Sequence, residues 1–258
     1  FALLPGSPAI GAGTSTGAPA TDQRGFTRTG AIDIGAFQTG PLVVNTTFDS
    51  NTSGSSSGKL SLREAINLAN IRPGADAITF DYTMFGTPQT IALAGTQLAL
   101  TDTTGETTIA GPTAGVTVSG NNASRVFFVA ASASGDITGL TISGGKVTAS
   151  SEGGGVLNQG TLFLTDCTLS GNTADAGGAL SSAAFVSSAT VTLTNCTLSG
   201  NTAASGVGGA VSNFSGASGV TATITFTNCT LYGNSANDNG GGLSNVAGSG
   251  TATATLTN

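Results

Sequence analysis

The sequence predicts an all-β fold, a right-handed parallel β-helix, in which the chain winds into stacked coils. Three observations carry this prediction. A repeated unit fills residues 153–258, its copies lie 29 and 33 residues apart, and short alternating runs in each copy are separated by Gly and Asn. The copies align on three anchors: Cys167-Thr-Leu-Ser-Gly-Asn172, Cys196-Thr-Leu-Ser-Gly-Asn201 and Cys229-Thr-Leu-Tyr-Gly-Asn234.

Equal positions in successive coils of such a fold stack at the strand spacing of about 4.8 Å. We therefore predict three internal ladders, formed by the anchor Cys, by the Leu two residues later and, at a turn, by the Asn that ends the anchor. Their members are Cys167, Cys196 and Cys229; Leu169, Leu198 and Leu231; and Asn172, Asn201 and Asn234. Weaker copies of the anchor begin at Val116 and Leu140, which extends the Cys ladder toward the N-terminus.

Composition agrees with a solenoid and argues against several functions. The chain has 40 Gly and only 8% charged residues, whereas disordered chains combine low hydrophobicity with high charge. A net charge of −6 with seven basic residues argues against a nucleic-acid partner. No His is present for Ser-His catalysis, and three Cys without a CxxC motif predict buried apolar fillers, with no metal or cofactor. No apolar run approaches the roughly 20 residues of a membrane helix, so no membrane insertion is expected.

Residues 1–39 predict the closing coil and C-terminal cap of a preceding module. The phrases Thr21-Asp-Gln-Arg-Gly-Phe26 and Ala31-Ile-Asp-Ile-Gly-Ala-Phe37 resemble the closing segment of large bacterial β-helix surface proteins. Arg24 is a candidate ion-pair partner of Asp22 or Asp33, and solvated turn residues explain these charges equally well. Residues 40–58 predict a linker, an entry strand and a flexible loop from Asp49 onward.

One short amphipathic helix is predicted at about residues 61–70. Ser61 and Glu64 form a capping box, and Pro73-Gly74 ends the helix. Four apolar residues have the spacing of one helix face: Leu62, Ala65, Ile66 and Ala69. The first coil of a solenoid exposes unpaired strand edges and core side chains, so we expect this helix to lie across that end as a cap.

The same stretch resembles the N-terminal cap of bacterial surface proteins with a Cys-Ser-Leu-Arg-Glu-Ala signature. Leu60-Ser-Leu-Arg-Glu-Ala65 matches five of the six signature residues, and Leu60 replaces the Cys, so any disulfide at that position is absent. The phrases Gly-Gly-Ala-Val211 and Leu-x-x-Asn201 are similar to the repeats of polymorphic outer-membrane proteins, which are bacterial surface adhesins. The resemblance implies an exported protein with an extracellular or cell-surface location.

Residues 59–258 are predicted to hold the cap and the coils of the next module. Strands are expected at 77–80, 90–93, 97–100 and 107–110. Later coils are longer, so we expect their extra residues to bulge as a loop, above all at Val207–Val220. In earlier units a Cys follows the phrase that ends the chain at Asn258, so the sequence is expected to be a segment of a longer polypeptide.

Three classes of function follow from this fold. The first is a structural or adhesive module of a large secreted repeat protein, part of a rod or extracellular filament that associates end to end and contacts a glycan or host-cell surface. The second is a carbohydrate-binding or polysaccharide-cleaving β-helix. Asp136, Glu152 and Lys146 cluster in sequence for such a role, but a solvated turn explains them too, and we expect no catalytic residues.

The third class is binding, including ice binding, through outward rows of Thr on the alternating strands. A flat array of hydroxyl and methyl groups would form this face, although Thr is also simply favoured on exposed strands. The candidate residues are Thr190, Thr192, Thr194, Thr221, Thr223, Thr225, Thr251, Thr253 and Thr255.

Overall fold

The computed structural model describes residues 7–9, 11–23, 28, 32–35, 41–50, 59–147 and 151–258. The chain forms a parallel β-solenoid of about six turns with two short helices, which confirms the predicted fold class. The strands expected at residues 77–110 are present, and their ends differ from the predicted ends by one residue at most.

The elements follow the repeat along the chain. In order they are β1 (Leu42–Val44), α1 (Leu62–Ala69), β2 (Asp76–Phe80), α2 (Tyr82–Phe85), β3 (Gln89–Ala92), β4 (Leu98–Leu100), β5 (Glu106–Ala110), β6 (Val116–Ser119), β7 (Phe127–Val129), β8 (Ser134–Thr138), β9 (Leu140–Ser143), β10 (Val156–Asn158), β11 (Thr161–Thr165), β12 (Thr168–Ser170), β13 (Thr173–Ala174), β14 (Leu180–Ala184), β15 (Ala189–Thr194), β16 (Thr197–Ser199), β17 (Thr202–Ala203), β18 (Val211–Ser215), β19 (Thr221–Thr227), β20 (Thr230–Tyr232), β21 (Ser235–Ala236), β22 (Leu243–Ala247) and β23 (Thr251–Thr257).

Each full coil contributes one strand to each of three parallel sheets. An eight-stranded sheet has the order β1-β2-β5-β8-β11-β15-β19-β23, the β3 sheet has the order β3-β6-β9-β12-β16-β20, and the β4 sheet has the order β4-β7-β10-β14-β18-β22. The last three coils add the short sheet β13-β17-β21. Alternate side chains of each strand face inward, so the apolar core is a continuous column inside the coils.

A left-handed residue turns each coil from the eight-stranded sheet into the β3 sheet. The residue directly before each anchor has a positive φ, +54° at Asp166, +55° at Asn195 and +52° at Asn228. Gly115 and Gly139 occupy the same place before β6 and β9, with φ of +89° and +69°. Gly, Asn and Asp adopt this conformation at low steric cost, which explains why these residue types recur at this turn.

The extra residues of the longest coil do not form the single loop predicted at Val207–Val220. Strand β18 lies inside that range and is largely buried. The partners Ala174 and Ala203 are offset by 29 residues, Leu180 and Val211 by 31, and Ala189 and Ala222 by 33. Two extra residues therefore enter the turn before β18 and two the turn after it. Both insertions lie in turns, so the inward side chains of β14 and β18 stay in register.

Helix α1 packs across the first coil. Ser61 Oγ accepts a hydrogen bond from Glu64 N (3.1 Å), and Glu64 Oε2 accepts one from Ser61 N (2.9 Å). The apolar face of the helix is at most 1% exposed and consists of Leu62, Ala65, Ile66 and Ala69. These side chains join the same core as β1, β2 and β4, so the helix extends the hydrophobic column over the end of the solenoid.

The sequence pattern did not reveal helix α2, which is only four residues long. Asp81 Oδ1 accepts a hydrogen bond from Met84 N (3.2 Å) and caps the helix. The helix buries Phe85, whose ring meets the edge of Phe80 at a centroid distance of 5.0 Å. A single turn is too short for helical periodicity to be read.

The described part of residues 1–39 has few backbone contacts. Gly13 and Ile32 form an antiparallel bridge, and Asp33 Oδ1 accepts a hydrogen bond from Gly11 N (2.6 Å). The predicted closing coil stays a prediction, and Arg24, like residues 51–58 of the predicted flexible loop, lies outside the described residues. In the part of the chain that the structure describes, no helix is long and apolar enough to cross a membrane.

Candidate functional site

The predicted Asn positions, Asn172, Asn201 and Asn234, lie one above another at the turn that follows the β3 sheet and form a column of polar side chains. Asn201 Nδ2 donates to Leu169 O (3.0 Å) and to Asn234 Oδ1 (2.9 Å). Asn201 Oδ1 accepts from both the backbone N and the Nδ2 of Asn172 (3.0 Å each). Asn172 and Asn201 are fully buried. Asn172 and Asn201 therefore each satisfy backbone groups of the preceding coil and donate to the Asn side chain of the next coil, which ties the coils together.

The predicted Cys and Leu positions line the core beside this turn. Leu169, Leu198 and Leu231 are register partners in adjacent strands, and Leu231 is half-buried because it lies in the last coil of the chain described here. At the N-terminal end of the predicted Cys ladder, Val116 pairs with Leu140, and both side chains are buried.

The three thiols are free, and each donates to backbone carbonyls. Cys167 Sγ lies 3.3 Å from Ile137 O and from Thr165 O, and Cys196 Sγ lies 3.3 Å from Leu164 O. The hydrogen bond with the Cys167 thiol, and then burial, raises the pKa of Cys196. Burial raises the pKa of Cys229 as well. A raised pKa disfavours the nucleophilic thiolate, so Cys196 and Cys229 have the environment of structural residues.

A second polar column, which the sequence reading missed, lies at the turn between the β4 sheet and the eight-stranded sheet. Its register partners are Asn158, Ser182, Asn213 and Asn245. Asn158 Nδ2 donates to Gly160 O (3.0 Å), and Asn213 Nδ2 donates to Ala222 O (3.0 Å) and Asn245 Oδ1 (2.7 Å). A signal was present, because each of these Asn follows a Gly cluster at a fixed interval.

This second column is interrupted at Ser182. Ser182 Oγ and Asn213 Oδ1 are both buried and make no hydrogen bond to any residue that the structure describes. Asn213 Nδ2 bonds to the Oδ1 of the next rung, so an Asn at position 182 would donate to Asn213 Oδ1 in the same way. We expect Ser182→Asn to stabilise the protein by about 1 kcal/mol, the net value of a hydrogen bond that satisfies a buried acceptor.

Chemical denaturation followed by circular dichroism measures this gain. Ser181→Asn is the matched control, because Ser181 lies on the opposite face of the same strand and already donates to Glu152 Oε2 (2.8 Å). The control should lose stability. Equal or lower stability of Ser182→Asn would show that no donor is missing at Asn213.

The cap carries a polar network that holds the exposed edge of the first coil. Arg63 Nε and Nη2 bind the two carboxylate oxygens of Asp49 (2.8 and 2.9 Å), and the same guanidinium donates to Thr96 O and Gln97 O. Asp49 Oδ2 also accepts from Ala94 N (2.7 Å). Asp49 is thus fixed by contacts, although the sequence reading placed it at the start of a flexible loop.

Asn70, the C-cap of α1, acts on strand β4 as a neighbouring strand would. Its Nδ2 donates to Ala99 O (2.7 Å), and its Oδ1 accepts from Thr101 N (2.8 Å). These two bonds satisfy backbone groups at the free edge of the β4 sheet, where another strand could otherwise pair. The sequence reading assigned no role to Asn70 or to Arg63.

The predicted Thr residues form rows on the outer face of the eight-stranded sheet. Two rows are Thr190-Thr223-Thr253 and Thr192-Thr225-Thr255, and a third runs through Thr194, Thr227 and Thr257. Thr221 pairs with Thr251 alone. Two of the rows continue into the preceding coil through Thr161 and Thr165, whereas Phe163 stands beside Thr192 and ends the middle row there. All three rows are therefore present together only on β15, β19 and β23.

The structure does not gather the acidic and basic candidates into one site. Asp136 lies on β8 of the eight-stranded sheet, whereas Lys146 and Glu152 lie between β9 and β10, where they bridge to Thr173 and Ala176. Glu152 accepts a hydrogen bond from Ser181. Within the described residues, no group of three or more Cys, Asp and Glu is placed to hold a metal ion.

Ionised Asp136 is expected to lower the stability of the fold at neutral pH. Burial, and then the nearby Glu106 carboxylate, raises the pKa of Asp136. A carboxyl whose pKa is higher in the folded state opposes folding when ionised, and this penalty disappears once pH falls below the unfolded pKa of about 3.8. We therefore expect Asp136→Asn to raise the melting temperature at pH 7 and to leave it unchanged at pH 3.

Thermal melts at the two pH values test this expectation. Asp238→Asn, an exposed carboxylate in a late turn, serves as the control for the general effect of lower net charge. A lower melting temperature for Asp136→Asn at pH 7 would mean that the ionised group stabilises the fold.

The stacked columns and the capped first coil define the chain as a parallel β-solenoid repeat protein. No protein-family model matches the sequence, and neither the curated proteins nor the solved structures contain a match to it.

Proposed function

We propose that the chain is a structural and adhesive module of a large exported repeat protein, in which stacked coils form a rod or an extracellular filament. The observation that carries this proposal is the continuous Asn172-Asn201-Asn234 column. Its hydrogen bonds run along the axis of the stack and join coils 29 and 33 residues apart. A fold stabilised by contacts between neighbouring repeats can be extended without a limit set by a globular core.

Charge and sequence resemblance support the same proposal. The outer faces of the coils are rich in Thr and Ser and poor in charge, which suits a spacer or coat. The cap is similar to that of bacterial surface proteins with a Cys-Ser-Leu-Arg-Glu-Ala signature, and the repeats are similar to those of surface adhesins. These resemblances support an exported, extracellular or cell-surface location and a glycan or cell surface as partner.

End-to-end association is proposed from the strand edges that a coil presents along the axis of the stack. α1 covers the first coil, whereas the strands of the last coil pair on one side only, and inward-facing Leu256 is 66% exposed. Such an edge accepts a further strand through backbone hydrogen bonds. Because α1 covers the opposite end, a second copy of this chain would dock here through its own open coil, which is an isologous contact.

Sedimentation velocity over a range of protein concentrations tests this contact. We expect the wild-type chain to form larger species at high concentration and Leu256→Lys to prevent them, because a charge on the apolar end opposes docking. Thr255→Lys adds the same charge on the outer face of the same strand and should leave association unchanged. A wild-type chain that stays monomeric throughout would contradict end-to-end association.

Electron microscopy of the native assembly tests the proposed role itself. We expect long uniform filaments with an axial repeat of about 4.8 Å, the spacing of stacked strands. Discrete short particles would contradict a filament, and binding and cleavage of polysaccharides would then be screened.

The Thr rows support a second candidate function, which is binding of a regular surface such as ice. Three adjacent strands place Thr in register, and the Thr residues of β23 are exposed. Partition into slowly growing ice tests this role, with Thr225→Lys at the centre of the array as the comparison. Equal exclusion of the wild-type protein and the variant from the ice would contradict ice binding by the Thr rows.

A further inference from the structure

A polar cleft of about 670 Å³ lies at the corner between the β3 sheet and the β4 sheet in the early coils. Three successive coils contribute the same turn to it. Gln97 comes from the turn before β4, Ser124 and Arg125 from the turn before β7, and Lys146 and Ser151 from the segment before β10. Its volume lies in the range of small-molecule and sugar sites.

Two of the seven basic residues of the chain line this cleft. No carboxylate is among the described residues that line it, although the Glu152 carboxylate acts on Arg125 from outside the lining. The nearest acidic residue in sequence, Glu152, directs its carboxylate to Ser181 Oγ (2.8 Å). Asp49, which lies on the cap side, is bound to Arg63. Arg125 and Lys146 thus place two basic side chains at one surface of a protein whose net charge is −6.

Arg125 is held in place and keeps donors for a ligand. Its Nε donates to Gly153 O (2.8 Å), its Nη2 donates to Glu152 O (2.7 Å), and its Nη1 donates to Gln97 Oε1. A guanidinium has five N–H donors, so one N–H on each Nη has no partner among the described residues. Burial lowers the pKa of Arg125, and the Glu152 carboxylate offsets part of this effect; a bound anion would offset it further.

Two further groups in the cleft lack partners within the described part of the chain. Lys146 is exposed, and its ammonium makes no hydrogen bond or ion pair there. Ser124 Oγ is buried without a hydrogen-bond partner. If a ligand carboxylate bound to Arg125 and Lys146, the hydroxyl and amide groups of the lining would remain free to bind neutral oxygens of the same ligand. An acidic sugar carries both a carboxylate and neutral hydroxyl groups.

We propose that this cleft binds a carboxylate-bearing saccharide, with its carboxylate on Arg125 and Lys146 and its hydroxyls on the polar residues of the three turns. This site adds a ligand to the rod and does not depend on filament formation, since the cleft lies within one chain. It differs from the Thr rows, which are on the outer face of the eight-stranded sheet.

Isothermal titration calorimetry with trigalacturonate tests the site, and maltotriose and inorganic phosphate are the comparison ligands. We expect trigalacturonate to bind one site per chain, with an affinity that falls as salt is added. Maltotriose, which lacks carboxylates, and phosphate, which lacks the sugar, should each bind at least tenfold more weakly. Equal binding of maltotriose would overturn the role of the charges, and equal binding of phosphate would overturn the saccharide.

Variants locate the site. Lys146→Gln removes an exposed charge, so it should fold normally and weaken trigalacturonate binding about tenfold, the loss expected for one charge-assisted contact. Lys59→Gln removes the same charge from a residue outside the lining and should not alter binding. Arg125→Lys, checked by thermal melting, should weaken binding further because a bidentate donor is lost. Unchanged affinity of Lys146→Gln would overturn the proposal.

Discussion

Asn201→Ala is expected to destabilise the protein by about 3–5 kcal/mol. Asn201 is fully buried and makes four side-chain hydrogen bonds, to Leu169 O, to Asn234 Oδ1 and from two nitrogens of Asn172. Alanine leaves several of these groups buried without partners, and each unsatisfied group costs about 1–3 kcal/mol. The loss falls at the junction of three coils, so it weakens both of the interfaces between them.

Urea denaturation measures this loss, with Asn239→Ala as the control. Asn239 is an exposed Asn in a turn of the last part of the chain, and its side chain donates to the Oδ1 of the adjacent, exposed Asp238. Its replacement should change the free energy of unfolding by less than about 0.5 kcal/mol. Asn201→Asp gives a second comparison, because it keeps the shape and the acceptor oxygens but loses the donor to Leu169 O. A stability of Asn201→Ala close to that of wild type would show that the column is not structural.

Ile66→Asp is expected to cost about 4 kcal/mol or more and to release the cap. Ile66 is 1% exposed and packs in the core that α1 shares with the first strands. The substitution removes an apolar side chain and introduces a carboxyl that has no partner at this site, and both changes are costly in a buried position. The first coil would then expose the edge of β4 and its inward side chains.

Asn67→Asp provides the matched control for this variant. It introduces the same carboxylate one residue later, on the exposed side of the same helix. Hydrogen exchange should show faster exchange in β2, β3 and β4 of Ile66→Asp and an unchanged pattern in Asn67→Asp. If β20 to β23 lose protection as quickly as β2 to β4, the helix is not a local cap and the solenoid unfolds as one unit.

The sequence predicted those features that are repeated or periodic. The β-solenoid follows from the spacing of the Cys anchors and from Gly and Asn at the turns, and the apolar spacing of α1 follows from one helix face. Leu169 and Leu198 pair as strand partners because their positions within the repeat are identical. Repetition makes long-range neighbours visible in one sequence, since each coil predicts the next.

Features that occur once were not visible in this way. Asp49 and Arg63 lie 14 positions apart in the sequence, so their ion pair follows only from the three-dimensional path of the chain. The second polar column was hidden because Ser182 replaces Asn in the middle of it. The Arg125 cleft joins turns about 28 residues apart, and the irregular early coils give no anchor from which to align them.

Exchange of the side-chain amide protons, followed by NMR, tests most directly whether the coils are joined through buried Asn columns. We expect the Nδ2 protons of Asn172 and Asn201 to exchange slowly, because both side chains are fully buried and hydrogen-bonded. Exposed Asn195 and Asn239 should exchange rapidly. Rapid exchange at Asn172 and Asn201, equal to that of the exposed residues, would contradict the stacked solenoid.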